Sequence, residues 1–188
     1  MVEIQQEVRK EEGIGWIILI IGGLWLWSKS KKKDKEALGK AELTEVKPLV
    51  KKKTGEVLEG SSPVTATAGE DFVGAKFRVK NNWSKDVELE CKFHLYRATW
   101  LGDQSVSTSS VWKPFTVKAN SVSDWVDIYT FVPADAPLGD LEGEIWLKHN
   151  SDIKKGFGKD KLKDQYHIVS PKFSWEKIQV IDVAGVVR

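Results

Sequence analysis

The sequence predicts a mainly β protein, an antiparallel β-sandwich of seven to nine strands that follows one apolar helix near the N-terminus. Residues 86–97 and 141–148 alternate apolar and polar side chains with the period of a strand that buries one face. Shorter segments of the same kind recur between turn signals. The chain after residue 42 contains no amphipathic helix pattern.

Composition and charge divide the chain into four parts. Residues 1–13 form a polar leader, 14–27 a hydrophobic membrane-anchor helix, 28–42 a lysine-rich linker and 43–188 the β-sandwich domain. The last part is long enough for one ordinary domain with its own core.

The predicted anchor carries no charge and is followed by a dense run of lysines. Its fourteen residues span about 21 Å as a helix, less than the roughly 30 Å of a bilayer core. Terminal tryptophans and snorkelling lysines allow such a short span. The anchor residues are Ile14, Trp16, Ile17, Ile18, Leu19, Ile20, Ile21, Leu24, Trp25, Leu26 and Trp27. The headgroup or stop-signal residues are Lys29, Lys31, Lys32, Lys33 and Lys35.

Three other interpretations of the apolar segment compete with membrane anchoring. A cleaved signal peptide fits the length, but the preceding residues are largely acidic and no small-residue cleavage site follows. An interfacial helix would need a polar face, which the segment lacks. A helix buried in the core of an assembly, as in pilin-like filaments, suits an apolar segment in front of a β-rich head. Membrane anchoring is the preferred interpretation.

Nine strands can be placed in the domain. They are predicted at 43–50, 64–68, 72–80, 86–97, 111–119, 125–132, 141–148, 166–169 and 173–183. Residues 51–62, 102–110 and 150–164 are predicted as polar loops. Cys91, the single cysteine, falls on the apolar side of its strand, which predicts a buried structural thiol.

No pattern of catalytic or metal-binding residues is found, so the sequence predicts no enzyme and no cofactor. His94, His149 and His167 are too scattered for a metal site, and His94 is expected at the surface. Lysines interrupt the acids of 152–164, which excludes a calcium loop, and 156–160 lacks the Lys-Ser/Thr pair of a phosphate loop. The net charge of +2 gives no reason to expect nucleic-acid binding.

Aromatic residues in outward phase are the best candidates for an interface. Trp146 alternates with the apolar residues of its strand, as do Trp112, Trp125 and Tyr129, although a bulge could turn Trp125 and Tyr129 into core residues. Outward aromatic side chains commonly mark contact surfaces.

The turns of the domain carry a resemblance. The runs 68–72, 77–82, 117–121 and 131–139 resemble, in this order, immunoglobulin-like surface modules of bacteria and archaea, in particular the CARDB-like kind. The resemblance covers about 43–183 and implies an immunoglobulin-like sandwich in a non-enzymatic, extracytoplasmic binding or spacer domain. The single domain behind an anchor departs from modular adhesins and is closer to a coat, filament or envelope subunit.

The expected function is therefore a membrane-anchored structural subunit of a cell or virion surface. Its expected partners are the lipid bilayer and other copies of itself or another surface protein. The alternative is a monomeric membrane-anchored adhesin or ligand-binding module. The β domain is expected outside the cytoplasm or on the virion surface, although the lysines behind the anchor favour the opposite orientation. Abundant Lys and Glu with few Cys and Met are typical of thermophile proteins.

Overall fold

The computed structural model describes residues 37–60 and 63–171. The predicted leader, the predicted anchor at 14–27, most of the linker and the predicted strand at 173–183 lie outside this range. Within the described ranges, no helix has the length and apolar character needed to cross a membrane.

After a short helical stretch at 37–39, the described part of the chain contains eleven strands and one 3-10 helix. The strands are β1 (Ala41–Lys51), β2 (Val57–Glu59), β3 (Val64–Thr67), β4 (Phe72–Asn81), β5 (Val87–Thr99), β6 (Gly102–Thr108), β7 (Lys113–Val117), β8 (Val126–Phe131), β9 (Gly139–His149), β10 (Asp152–Phe157) and β11 (Tyr166–Val169). The 3-10 helix is Lys159–Lys161.

The strands form two sheets, so the mainly β prediction is confirmed. The small sheet has the order β2-β1-β4-β8, and the large sheet has the order β3-β11-β9-β5-β6. In the large sheet β7 also pairs with β5, and β10 with β9. Every pair is antiparallel except β3 with β11, which is parallel. The prediction of a purely antiparallel sandwich is wrong at this pair, because β11 has β9 on one side and accepts β3 on the other.

The core lies between the sheets, where the alternation predicted it. β4 contributes Val73, Ala75, Phe77 and Val79 to the core, and β5 contributes every second residue from Val87 to Leu95. The ring of Phe77 meets Phe115 edge-on across the layer, with centroids 6.0 Å apart. Cys91 is buried among these residues, as predicted.

Three predicted loops contain strands, and the predicted total of seven to nine strands is too low. β2, β6 and β10 fall within the segments predicted as loops at 51–62, 102–110 and 150–164. β2 and β6 lie at sheet margins and are largely exposed, and β10 is exposed at alternate positions. A strand with little buried area needs no apolar face, so it does not produce the alternation on which the prediction depended.

Candidate functional site

A cleft opens where margins of the two sheets meet, between the segment that leads into β7 and strand β8. It encloses about 470 Å³. Trp112 and Tyr129 form aromatic walls, and Val111, Pro114 and Ile128 add apolar surface. We call this feature the seam cleft. It brings together two of the four aromatic residues that the sequence nominated for an interface.

Hydrogen bonds from the large sheet fix the backbone of β8 beside the seam cleft. Ser109 Oγ donates to the carbonyl oxygen of Tyr129 at 2.7 Å, and Lys113 Nζ donates to that of Asp127 at 2.6 Å. The hydroxyls of Ser107 and Thr130 are also bonded, at 2.7 Å. Side chains from the large sheet therefore donate hydrogen bonds to backbone carbonyl groups at the margin of the small sheet.

Asp127, in the wall of the seam cleft, has one carboxylate oxygen that is buried without a donor among the described residues. The Oδ1 atom of Asp127 is shielded from solvent and has no hydrogen-bond partner within residues 37–60 and 63–171. Burial raises the pKa of the Tyr129 phenol, and the carboxylates of Asp127 and Glu59 raise it further. The surface that the cleft itself offers is therefore mainly aromatic and apolar, with the Lys113 side chain beside it.

Cations lie over the outer side of the Trp112 ring. Lys92 Nζ and Lys148 Nζ lie 5.2 and 5.5 Å from its centroid, and Lys148 also forms an ion pair with Glu90. These contacts hold the indole in place while leaving it half-buried at the cleft.

Trp125 lies in a neighbouring cleft of about 200 Å³ that shares Lys113 with the first. Its indole is 38% exposed. Trp125 is therefore not a core residue, which excludes the alternative that a bulge turns its side chain inward. Lys47, Lys76 and Arg78 each place a cationic group 5.4–5.6 Å from its ring. Three of the four nominated aromatics thus lie along one margin of the domain.

Trp146 lies apart from this margin, on the outer face of the large sheet. It is half-buried, its Nε1 donates to Glu144, and Lys155 Nζ lies 4.3 Å above its ring. Trp146 thus lies in the outward phase that the alternation predicted, with Lys155 of β10 over its ring.

The same face contains a buried polar cluster that sequence reasoning missed. His94 is only 8% exposed, which corrects its prediction as a surface residue. Its Nδ1 lies 3.0 Å from Glu144 Oε1, and its Nε2 lies 3.0 Å from Ser105 Oγ. Tyr96 donates to Glu142 at 2.9 Å. The sequence did contain a signal for this cluster. The two strands with the clearest alternation, β5 and β9, both carry titratable residues on their polar face, and pairing of the strands brings those residues side by side.

The Ser105–His94–Glu144 chain has the hydrogen-bond order of a hydrolytic triad. A hydrolase also needs backbone N–H donors aimed at the oxyanion that forms beside the serine. A strand directs its N–H groups into the plane of the sheet, whereas Ser105 projects from that plane toward His94. The hydrogen bonds of the cluster join β5, β6 and β9. Among the described residues, no group of three or more His, Cys, Asp or Glu side chains could hold a metal ion.

The most exposed aromatic residue of the described chain was also missed. Trp100 is 92% exposed and Leu101 is 79% exposed, at the turn between β5 and β6. Sequence reasoning passed over Trp100 because it follows the end of a strong alternating pattern. Its position next to a glycine turn was the signal that could have found it.

Comparison with known proteins gives only distant structural likenesses. No family model and no curated protein matches the chain. Among solved structures, the alkylpurine DNA glycosylase AlkC of Pseudomonas fluorescens bound to DNA containing an abasic site analog is 9% identical, with a TM-score of 0.40 over 62% of this chain and 30% of that one. The sporulation control protein Spo0M of Bacillus subtilis is 16% identical, with a TM-score of 0.29 over 62% of this chain and 48% of that one. The chain spans less than half the length of each, and such TM-scores carry no functional argument.

Proposed function

We propose that the chain is a non-enzymatic, membrane-anchored structural subunit of a cell or virion surface, a coat, envelope or filament protein. In this proposal the subunits assemble through the apolar segment 14–27 and through contacts between β domains. The observation that carries the proposal is the alignment of Trp112, Tyr129 and Trp125 along one margin of the domain. Aromatic side chains in a concave surface supply the desolvated centre of many protein contacts.

The finer fold proposal is an immunoglobulin-like sandwich. Two turn residues of the resembling runs support it by their role in the structure. Asp71 is 3% exposed and accepts hydrogen bonds from the backbone N–H groups of Thr67 and Lys53. Asn81 donates to the carbonyl oxygens of Lys85, Val117 and Lys118. Asp71 and Asn81 thus stabilise turns. This role supports the view that the resembling runs specify the fold of the domain and not a chemical activity.

The alternative is a monomeric, membrane-anchored adhesin or ligand-binding module. The same seam cleft favours it, because a cleft with aromatic and apolar walls suits a small ligand as well as a protein side chain. In both proposals the β domain lies outside the cytoplasm or on the particle surface.

Self-association of the full-length protein tests the proposal. We expect the wild-type protein to form oligomers that grow with its density in lipid nanodiscs, measured by native mass and cross-linking. Trp112→Ala should reduce assembly at least tenfold, because a central tryptophan commonly contributes 2 kcal/mol or more to a contact. Leu138→Ala is the matched control, since Leu138 is 54% exposed and does not line the seam cleft. A wild-type protein that stays monomeric, while Trp112→Ala abolishes only ligand capture, would leave the binding module as the function.

A further inference from the structure

The β5–β6 hairpin ends in a ribbon that pairs with no third strand of the described chain. β5 pairs with β9 only as far as Tyr96, whereas its pairing with β6 continues to the rung between Thr99 and Gly102. Every residue from 97 to 105 is exposed. At roughly 3.3 Å per residue, the ribbon extends about 10 Å beyond the last pairing of β5 with β9.

Two apolar residues occupy the turn of this ribbon, and we call them the hairpin tip. Gly102 has a φ of 120°, a conformation that glycine adopts readily, and Thr99 Oγ1 donates to the Gly102 carbonyl oxygen at 2.6 Å. Trp100 and Leu101 lie between these residues and are 92% and 79% exposed. Turns are usually filled by Gly, Asn, Asp, Pro or Ser. Since neither apolar side chain packs in the core, their presence here points to a contact outside the domain.

The apolar surface of the hairpin tip is small and convex. A tryptophan buries at most about 250 Å² and a leucine less, whereas each partner in a stable protein contact buries about 800 Å². The neighbouring Thr99, Asp103 and Gln104 are polar, so they do not extend the apolar surface along the ribbon. A wedge of this size is too small for the centre of a flat protein contact, but a fluid bilayer can close around it.

A cationic group lies behind the hairpin tip. Arg97 is exposed, and its guanidinium has no hydrogen bond or ion pair with any residue in 37–60 or 63–171. The one acid of the ribbon, Asp103, is paired with Lys159 Nζ at 2.6 Å. Arg97 is therefore the uncompensated charge of residues 97–105, and it is available to an anionic group.

The spacing between Arg97 and the hairpin tip matches the depth of a bilayer interface. Arg97 precedes Trp100 by three residues, about 10 Å along an extended strand. Apolar side chains of interfacial segments enter about 5–10 Å into the boundary between headgroups and acyl chains. Indole rings favour this level, and a guanidinium forms paired hydrogen bonds with phosphate oxygens. With Trp100 at that depth, Arg97 lies at the level of the phosphates.

We propose that the hairpin tip is a lipid-contact site, in which Trp100 and Leu101 enter the interface of a phospholipid bilayer and the Arg97 guanidinium binds a lipid phosphate. This surface is separate from the seam cleft, so the inference goes beyond the proposed function. It does not depend on where segment 14–27 lies, because the contact is made by described residues of the β domain.

Quenching of tryptophan fluorescence by brominated phosphatidylcholine tests the inference on the full-length protein. The protein is held in nanodiscs, which shield segment 14–27, and is mixed with vesicles of phosphatidylcholine and phosphatidylglycerol. The brominated lipid is placed either in the vesicles or in the nanodiscs. Trp100→Phe is the reference, because it keeps an aromatic ring at the hairpin tip and removes only the indole of residue 100.

We expect quenching of the wild type to exceed that of Trp100→Phe in one of the two bilayers, because only the wild type carries an indole at the hairpin tip. Leu101→Ser and Arg97→Gln should each reduce this difference at least twofold, and circular dichroism checks that each variant folds. Ile153→Ser is the control that should leave the difference unchanged. Ile153 is 49% exposed and lies beside Lys148, which pairs with Glu90 near the other end of β5.

Equal quenching of the wild type and Trp100→Phe in both bilayers would overturn the inference. If the double substitution Trp100→Ser, Leu101→Ser then also abolished self-association, the hairpin tip would be a protein contact instead. A difference that Arg97→Gln leaves unchanged would overturn the role of the arginine. The proposed function is tested separately through Trp112→Ala, so it can stand where this inference fails.

Discussion

At the residue scale, Asp71 joins two segments of backbone with one carboxylate. Its Oδ2 accepts from Lys52 Nζ and from the N–H of Thr67, both at 2.8 Å, and its Oδ1 accepts from the N–H of Lys53 at 3.2 Å. Desolvation by itself would raise the pKa of Asp71, but the hydrogen bonds from Lys52, Thr67 and Lys53 outweigh it, so the pKa lies below its usual value. The end of β1 and the turn from β3 to β4 are joined at this residue.

We expect Asp71→Ala to lower the free energy of unfolding by about 2 kcal/mol at pH 7, because it leaves the part-buried N–H groups of Thr67 and Lys53 without their acceptor. A lowered pKa means that the carboxylate stabilises the fold above the unfolded-state value of about 3.9, and that this stability is lost as the pH falls. Urea unfolding at pH 7 and at pH 3 should therefore show a smaller difference from the wild type at pH 3. The exposed Asp135→Ala is the control. An equal loss at both pH values would contradict the role of the charge.

Gly143 is the second residue whose identity the packing dictates. It lies in β9 against the rings of Phe93 and Tyr166, and a Cβ at this position would approach Phe93 Cζ to 2.6 Å and Tyr166 Cε2 to 2.7 Å. The two rings already meet edge-on with centroids 5.5 Å apart, and Tyr166 donates its hydroxyl to the Gly74 carbonyl at 2.7 Å. Neither ring is free to move away.

Gly143→Ala should therefore destabilise the domain by about 1–3 kcal/mol, the usual cost of overpacking a core. Gly39→Ala is a matched control, because a Cβ there would meet nothing within 4 Å and no loss beyond about 0.5 kcal/mol is expected. Chemical denaturation of both variants measures the difference. A Gly143→Ala protein as stable as the control would show that the Phe93–Tyr166 pair can rearrange.

At the scale of elements, the sequence predicted the strands that bury a face and missed those that do not. β4, β5 and β9 appear where the alternation placed them, because each contributes an apolar face to the core. β6 and β10 were missed because pairing with β5 and β9 fixes them through backbone hydrogen bonds, for which polar sequence is sufficient.

The candidate site was predictable only in part, for the same reason. The alternation predicts that Trp112 and Trp146 point away from the core. It does not predict which residues pack over them on the outer face of the sheet. The outer face of the large sheet is covered by residues of β10 and the 3-10 helix, with Lys155 over Trp146 and Lys159 over Tyr96. The seam cleft depends on which strands lie at the margins of the two sheets. The alternation of residues within one strand does not predict the order of the strands, so the cleft could not be predicted from it.

At the scale of the whole molecule, the fold raises the pKa of one thiol and of two phenols besides that of Tyr129. Burial raises the pKa of the Cys91 thiol to about 12 and raises the pKa of Tyr166 well above its usual value. Burial also raises the pKa of Tyr96, and its hydrogen bond to the Glu142 carboxylate raises it further. In the unfolded chain these groups ionise near their ordinary pKa values, about 8.5 for cysteine and about 10 for tyrosine.

A raised native pKa stabilises the neutral form, so the associated stability is present below the unfolded-state pKa and is lost as the pH rises. We therefore expect the free energy of unfolding to fall above about pH 8.5 as Cys91 ionises in the unfolded state, and more steeply above about pH 10 as Tyr96 and Tyr166 follow. Urea denaturation followed by tryptophan fluorescence between pH 7.5 and 11 measures the slope. Cys91→Ala should flatten the first decline and Tyr96→Phe should reduce the second, whatever each substitution costs at pH 7.5. If Cys91→Ala kept the wild-type slope between pH 8.5 and 10, ionisation of the buried thiol would not be coupled to unfolding, and the decline would have to arise from surface charge.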